Sequence, residues 1–481
     1  MTGSDHKDVF KRLRQAYPVF VYRDFDIKHT EGNTSVGFSF DAGDQYSFHP
    51  RWQIHYGNWR KNLVANPSKA EGWGFQLGMI EMVSYWKAFC SPYIETWCGA
   101  LSEDQRAWWF KLYQHGLGEF FYTNGIDIPG DDMLEFITNH PDTDQHSPGS
   151  SEPAADRLKV YPPPESVLVP VGGGKDSVVT LELLKRAGYQ LIPFVINPRG
   201  ATAGVLSQAG FPSGEIITMD RQMDPLLLEL NKRGFLNGHT PFSAMLAFAS
   251  SFVATRVGVK HVALSNESSA NEPSVPGTMI NHQYSKSLAF EKDFRSYAYQ
   301  YLDEHINYFS LLRPLNELQI GALFSGFTDH HHVFRSCNAG SKQNRWCGKC
   351  AKCLFTYVIL SPFLPQHYLQ EIFGANLFRD TELRSMLFDL CGDGRNKPFE
   401  CVGTTDEVNT AVVYIIKHME VKGEKLPDLL QAYRHSHLYE KYQHQDIKEH
   451  LQHFDDDHCL DARFETMVKE ALEGLDKRLI R

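Results

Sequence analysis

The stretch that most constrains this chain is Val167-Leu168-Val169-Pro170-Val171-Gly172-Gly173-Gly174-Lys175-Asp176-Ser177. Its first five residues are apolar and rich in valine, as in a strand buried on both faces of a parallel sheet. Three glycines follow, which permit a tight turn and let backbone N–H groups approach a ligand with no Cβ in the way. An amphipathic helix then begins, with Val178, Leu181 and Leu184 on one face and Gly188 where a helix-ending glycine belongs. Strand, glycine turn and helix N-terminus, in that order, make an arrangement that binds phosphate. Lys175 adds a positive charge, Ser177 a hydroxyl, and Asp176 a carboxylate suited to Mg²⁺.

The spacing narrows the choice. A Walker A loop has four residues between its first glycine and Gly-Lys-Ser/Thr, and a dinucleotide fingerprint needs Gly-x-Gly-x-x-Gly. Here Lys175 follows Gly174 directly, Asp176 separates it from Ser177, and neither pattern fits. The segment resembles the PP-loop of the N-type ATP pyrophosphatases, usually Ser-Gly-Gly-x-Asp-Ser, which split ATP between the α and β phosphates and adenylate a substrate. Gly172 stands where that family usually has serine, so one hydroxyl of the pyrophosphate contact is missing.

Around this segment the chain divides into three expected regions. Residues 1–155 read as an α+β domain. Strands are expected at Val19–Tyr22 and Ser35–Phe40, with Asp44–Phe48 pairing to the latter as a small antiparallel sheet, followed by two helices. The second helix carries Trp108, Trp109, Leu112, Tyr113, Leu117, Phe120 and Phe121. A core face is the simpler account of that aromatic density; a sugar or base platform is the other. Residues 139–164 are polar and breaker-rich and read as a linker. From 165 to 365 strands alternate with helices, with strands expected at 191–196, 215–219 and 261–265. This predicts an open parallel sheet of doubly wound α/β type, whose ligands bind beyond the strand C-terminal ends. Asn197 follows the second strand, and Ser265, Asn266 and Glu267 the fourth, so these should line the pocket. Gly238-His239-Thr240-Pro241 opens a helix with Thr240 as its expected N-cap. Residues 366–481 read as mainly helical, with a non-helical block at Lys397–Thr404.

Cys337, Cys347, Cys350 and Cys353 have the spacing C-x9-C-x2-C-x2-C. Four thiolates suit a closed tetrahedral zinc site of structural type; an iron–sulfur cluster is the competing and less favoured occupant. Nearby lysines would offset the thiolate charge. His330-His331-His332 precede the cluster and read mainly as structural or surface residues. With cysteines clustered for a metal rather than spread for disulfides, a reducing, cytoplasmic setting is expected. No apolar run is long enough to span a bilayer, and the first residues lack a signal-peptide core. Lys and Arg total 48 against 58 Asp and Glu, a net charge of -10, which argues against a chain-wide nucleic-acid surface.

Taken together, several stretches resemble the MurL family of UDP-N-acetylmuramoyl-L-alanyl-L-glutamate epimerases. They are His115–Tyr122, Val169–Ser177, Gly238–Ser243, Arg313–Leu318, Arg335–Asn338, Trp346–Cys353 and Lys397–Thr404. The resemblance implies an ATP-dependent inversion of the terminal glutamate of UDP-MurNAc-L-Ala-L-Glu in peptidoglycan precursor synthesis. Adenylation of the α-carboxylate would acidify the α-proton, and AMP and pyrophosphate would be released. On this reading Gly172, Gly173, Gly174 and Ser177 hold the pyrophosphate, Lys175 neutralises charge there, Asp176 binds Mg²⁺, and Asn197 and Asn266 lie near the nucleotide. His239, Glu267, His282, Tyr284, Lys286 and Cys401 are the candidates for proton transfer, and order in the chain does not choose among them. Arg313, Arg335 and Lys397 are further candidates for phosphates or carboxylates. Two alternatives stay open: a 7-cyano-7-deazaguanine synthase-like or tRNA-modifying pyrophosphatase, and a nucleotide-binding zinc protein without turnover.

Overall fold

A computed structural model describes residues 3–63, 67–127, 130–138, 165–272, 281, 284–337, 339–394 and 397–480. The expected linker at 139–164 and the candidate His282 lie outside the described residues. The strands, in chain order, are β1 Val19–Thr30, β2 Asn33–Ala42, β3 Tyr46–Phe48, β4 Arg51–His55, β5 Tyr93–Thr96, β6 Glu135–Thr138, β7 Ser166–Pro170, β8 Gln190–Ile196, β9 Ile217–Gln222, β10 His261–Leu264 and β11 Asn307–Ser310. They form one sheet in the order β11-β10-β7-β8-β9-β4-β2-β1-β5-β6, with β3 paired to β2.

The five strands β7 to β11 are mutually parallel. From β7 the chain runs outward through β8 and β9, then returns to the other side of β7 for β10 and β11. The winding therefore reverses between β7 and β10. In such sheets the crevice beyond the C-terminal ends of those two strands is where ligands bind. The glycine turn leaves β7 at that point.

Alternation along the strands explains why the sheet is covered on both sides. Val167 and Val169 belong to one apolar core and Leu168 to the other. The first core is shared with the helices Lys175–Arg186 and Glu317–Ser325 and with the C-terminal helical region. The second is shared with the helices Pro67–Trp86 and Phe242–Val257 and with the N-terminal strands. The expected single aromatic helix is two, Glu103–Gly116 and Gly118–Thr123, joined at Leu117. Trp109 and Tyr113 of the first and Phe120 and Phe121 of the second lie in that second core, so the aromatic residues form a packing face. The Trp109 ring stacks on Phe248 at 5.2 Å.

Two expectations are corrected here. The antiparallel strands of the first 155 residues exist, but they make no sheet of their own, because β4 pairs antiparallel with β9 and extends the parallel sheet. A buried ion pair fixes the junction: Glu81 accepts from Arg221 Nε at 2.7 Å and from the Trp52 indole at 2.9 Å. Thr240 is also not the N-cap of its helix; Pro241 holds that position without a side-chain hydrogen bond. The Thr240 hydroxyl instead accepts from Lys87 Nζ at 2.6 Å, which draws it away from the helix N–H groups.

His261 ties β10 to the C-terminal region. Its Nδ1 faces Asn307 Nδ2 at 3.1 Å and its Nε2 faces the Arg463 guanidinium. Burial, then the charges of Arg463 and Lys260, push this imidazole down to about 4. A depressed folded-state value contributes stability that is complete above the unfolded value, about 6.5, and is lost as pH falls toward the folded one. We expect this group to remove up to about 3 kcal/mol between those limits. Urea midpoints at pH 7 and pH 4.5 should differ less for His261→Gln than for the native chain. No helix among the described residues is long and apolar enough to cross a membrane.

Candidate active site

The glycine turn is clamped from two sides. Gly173 has φ +84°, and a Cβ there would lie 2.8 Å from the Thr202 backbone nitrogen. A Cβ on Gly174 would lie 2.8 Å from Ser336 Oγ. The Arg335 N–H donates to the Gly173 carbonyl at 2.9 Å, so the segment just before Cys337 forms one wall of the turn. Gly172 faces open space. The helix Lys175–Arg186 has Gly174 as N-cap and no side-chain cap, and the first-turn N–H groups have no intrahelical acceptor. Ser177 Oγ donates to the Gly174 carbonyl at 2.9 Å.

Lys175 points inward. Its side chain is 3% exposed and pairs with both Asp176 and Glu317, the latter also 3% exposed, whereas Asp176 is 31% exposed. Burial works against the ammonium, but the two carboxylates outweigh it and keep Lys175 charged. Lys175 likewise holds Asp176 below the usual carboxylate range, against the effect of burial and with help from Lys352. Glu317 is pushed up to about 8 by burial; Lys175 opposes the rise, and Asp176, Glu267 and Glu407 add to it. Asp176 is thus the member of the trio open to the crevice.

Glu317 opens the helix after β11 and was not singled out in the sequence. Its N–H donates to Glu407 Oε1 at 2.5 Å, while Glu407 Oε2 accepts from the Thr404 N–H at 2.6 Å. Glu407 also escaped notice, although Thr404-x-x-Glu407 is a capping-box pattern and forms one. A Cβ on Gly403 would lie 2.9 Å from Glu317 Cγ, so the non-helical block 397–404 packs against the charge cluster.

The remaining predicted residues fall around this cluster or support it. Lys286 Nζ lies 3.1 Å from Cys401 Sγ. Burial opposes the Lys286 charge, but Cys401 and Glu267 hold it well above the ordinary lysine value. Glu267 is buried, with Ser269 Oγ at 3.4 Å. Arg313 is fully buried and structural: it pairs with Glu291 at 3.1 Å and donates to the carbonyls of Glu267 at 2.6 Å and Lys286 at 2.5 Å. Lys397 pairs with Glu272 at 2.5 Å, and Arg335 donates to the Phe334 carbonyl at 2.6 Å. Asn197 has φ +48°, and its Oδ1 accepts from the Arg221 N–H at 2.9 Å, a turn role. Asn266 Nδ2 donates to Ser310 Oγ at 3.0 Å.

One face of the N-terminal helices completes the surroundings. His115 packs on Tyr284 at 5.2 Å, Glu119 Oε2 lies 3.2 Å from His239 Nδ1, and Tyr122 packs on Phe399 at 5.4 Å. Burial raises the Tyr284 phenol well above its usual value. Lys87, also missed in the sequence, is buried with its ammonium on Thr240 and the Gly238 carbonyl. Burial, then Arg221, brings it down to about 8.

The four cysteines converge, with their Sγ atoms all within 4.8 Å of one another, and can hold a metal ion. The Cys337–Cys350, Cys347–Cys353 and Cys350–Cys353 separations are 3.9, 3.7 and 3.5 Å. These match the edge, about 3.8 Å, of a tetrahedron of sulfurs around one zinc-sized ion. The Gly340 N–H donates to Cys337 Sγ at 3.1 Å. Lys349 does not neutralise the thiolates as expected; it pairs with Asp380 at 2.7 Å and Glu382 at 2.6 Å. Of the three histidines, His330 pairs with Glu182 at 2.9 Å and His331 faces the Phe324 carbonyl at 3.1 Å, both structural contacts.

Fold and site define an α/β protein with a mostly parallel sheet, a helical C-terminal region, and a glycine turn and charge cluster at the sheet's switch point. The sequence matches the family profile of the MurL N-terminal domain over residues 11–311 and that of the MurL C-terminal domain over 333–445. The chain belongs to the MurL family. It is 36% identical over 354 residues to the UDP-N-acetyl-alpha-D-muramoyl-L-alanyl-L-glutamate epimerase of Xanthomonas oryzae pv. oryzae, covering 72% of this chain and 75% of that protein. It is 33% identical over 349 residues to the protein of the same name from Salinispora tropica, covering 69% and 70%. The match to the one from Micromonospora sp. is 36% over 341 residues, covering 69% and 72%.

Proposed function

We propose that this chain is an ATP-dependent epimerase that inverts the terminal L-glutamate of UDP-MurNAc-L-Ala-L-Glu to D-glutamate through an acyl-adenylate. The observation that carries the reading is the glycine turn at the switch point of a chain whose relatives bear that epimerase name. An α-proton beside a free carboxylate is very weakly acidic, because its removal puts two negative charges side by side. Transfer of AMP to the carboxylate, with pyrophosphate leaving, removes one of those charges and makes the proton accessible.

The N–H groups at the turn and helix start, with Gly172 open, suit a pyrophosphate in the manner of a PP-loop. Lys175 serves this turn from behind, by setting the Asp176 and Glu317 charges. Mg²⁺, when bound, offsets charge on the phosphates, and Asp176 is the side chain that would hold it. The cysteine site takes zinc: its sulfur separations suit one ion, whereas an iron–sulfur cluster spreads its thiolates over several irons. With four protein ligands it is closed and structural.

Incubation with UDP-MurNAc-L-Ala-L-Glu, ATP and Mg²⁺ in D₂O tests the reading. We expect AMP release together with D-glutamate carrying deuterium at its α-carbon. AMP release without inversion would point to another acid as substrate, and no AMP would reject the adenylation reading.

A further inference from the structure

We propose that Cys401 and Lys286 form the proton-transfer couple of this site, with the Cys401 sulfur taking the α-proton of the activated glutamyl residue. The inference rests on the epimerase reading above and goes beyond it by choosing among the candidate groups. Cys401 stands two residues before Gly403, which packs on Glu317, and Glu317 binds Lys175 of the glycine turn. Lys286, the partner of Cys401, also interacts through its charge with Asp176, the member of the trio open to the crevice. Lys286 is held from behind, since the buried Arg313 guanidinium takes its carbonyl at 2.5 Å and is itself fixed on Glu291. The ammonium so placed lies 3.1 Å from the sulfur, the arrangement that favours a thiolate.

The competing groups fit less well. Glu267 is buried and its backbone is locked by Arg313. The Tyr284 phenol is held protonated by burial and packs on His115. His239 Nδ1 faces Glu119, on the N-terminal helices. Cys401 is half-buried and has a cation within bonding distance of its sulfur.

In the step itself the α C–H bond breaks and an S–H bond forms. The electron pair moves into the enolate of the acyl-adenylate carbonyl. The carbon regains a proton on its other face from water, and the hydroxide left is neutralised by the proton that the thiol returns to solvent. Lys286, whose ammonium faces the sulfur, favours the thiolate. Glu267 and Asp176 are the carboxylates whose charges act on Lys286 in turn.

The test uses the full-length, metal-loaded enzyme. For Cys401→Ser, AMP release and the gain of α-deuterium and D-glutamate are followed together. We expect inversion and deuterium uptake to fall at least about 100-fold while AMP is still formed. Independently, alkylation of Cys401 by iodoacetamide is followed against pH by peptide mass spectrometry. Lys286→Met should move its inflection upward by about 1–3 pH units. Native-rate inversion by Cys401→Ser, or an unmoved inflection in Lys286→Met, overturns the proposal while native AMP release leaves the parent reading standing. A native enzyme that forms no AMP overturns both.

Discussion

Replacing Asp176 with alanine will lower AMP release about a thousandfold or more and leave the melting temperature within a few degrees of native. Two features set these opposite magnitudes. Asp176 is the open member of the trio, 31% exposed where Lys175 and Glu317 are 3%, so its loss removes the carboxylate facing the crevice. Removing one preorganised group that meets developing charge costs about 10²–10³ in rate, and loss of the proposed Mg²⁺ contact would push the effect beyond that range. The fold survives because Lys175 keeps Glu317, and no buried charge is left without a partner. Asp176→Asn separates charge from shape: it fills the same space, and we expect it to be nearly as inactive as the alanine variant. AMP formation measured by chromatography, with a melting curve on the same preparation, gives both numbers. Turnover near the native rate in Asp176→Ala would remove the glycine turn from the mechanism.

That Asp176, and not Lys175, faces the crevice could not be read from the sequence. The local pattern of strand, glycines and helix was legible because each part follows from residues within a few positions of one another. Val167–Val171, the glycines and Val178, Leu181 and Leu184 announce β7, the turn and its helix, and Gly188 ends that helix with φ +81°. The direction of the Lys175 side chain depends on Glu317, 142 residues away. Nothing near either residue signals that pairing. The joining of β4 to β9 was hidden for the same reason, since an antiparallel pair formed by distant segments has no turn signal between them. The strand β11, Asn-Tyr-Phe-Ser, is short and mixed in polarity, and its burial comes from β10 and the helix packed over it. The four cysteines are the opposite case. Their spacing alone predicted a common site, and the chain brings their sulfurs together.

The second large effect is expected at that site. Cys350→Ser, or removal of the ion by a strong chelator, should reduce bound zinc from about one equivalent per chain to a small fraction of it. It should also lower stability by several kcal/mol, because structural zinc binds with about 10–16 kcal/mol of apparent free energy in small zinc domains and part of that is folding free energy. The loss will not stay local. Cys337 follows Arg335 and Ser336, which form the wall of the glycine turn through the Gly173 carbonyl and the surface of Gly174. Cys350 is the N-cap of the helix Ala351–Leu360, whose Lys352 helps hold Asp176 in its charged form. Loosening the cysteines should therefore slacken the turn and move a cation away from Asp176, so AMP release should fall with the metal. Metal analysis, a melting curve and AMP release on the same sample test this chain of effects. The native protein should show no visible charge-transfer absorption, as expected for zinc, which has no redox or d-electron transitions. A coloured protein would replace zinc with an iron–sulfur cluster. A metal-free Cys350→Ser variant with native stability and AMP release would show that the four-cysteine site does not support the turn.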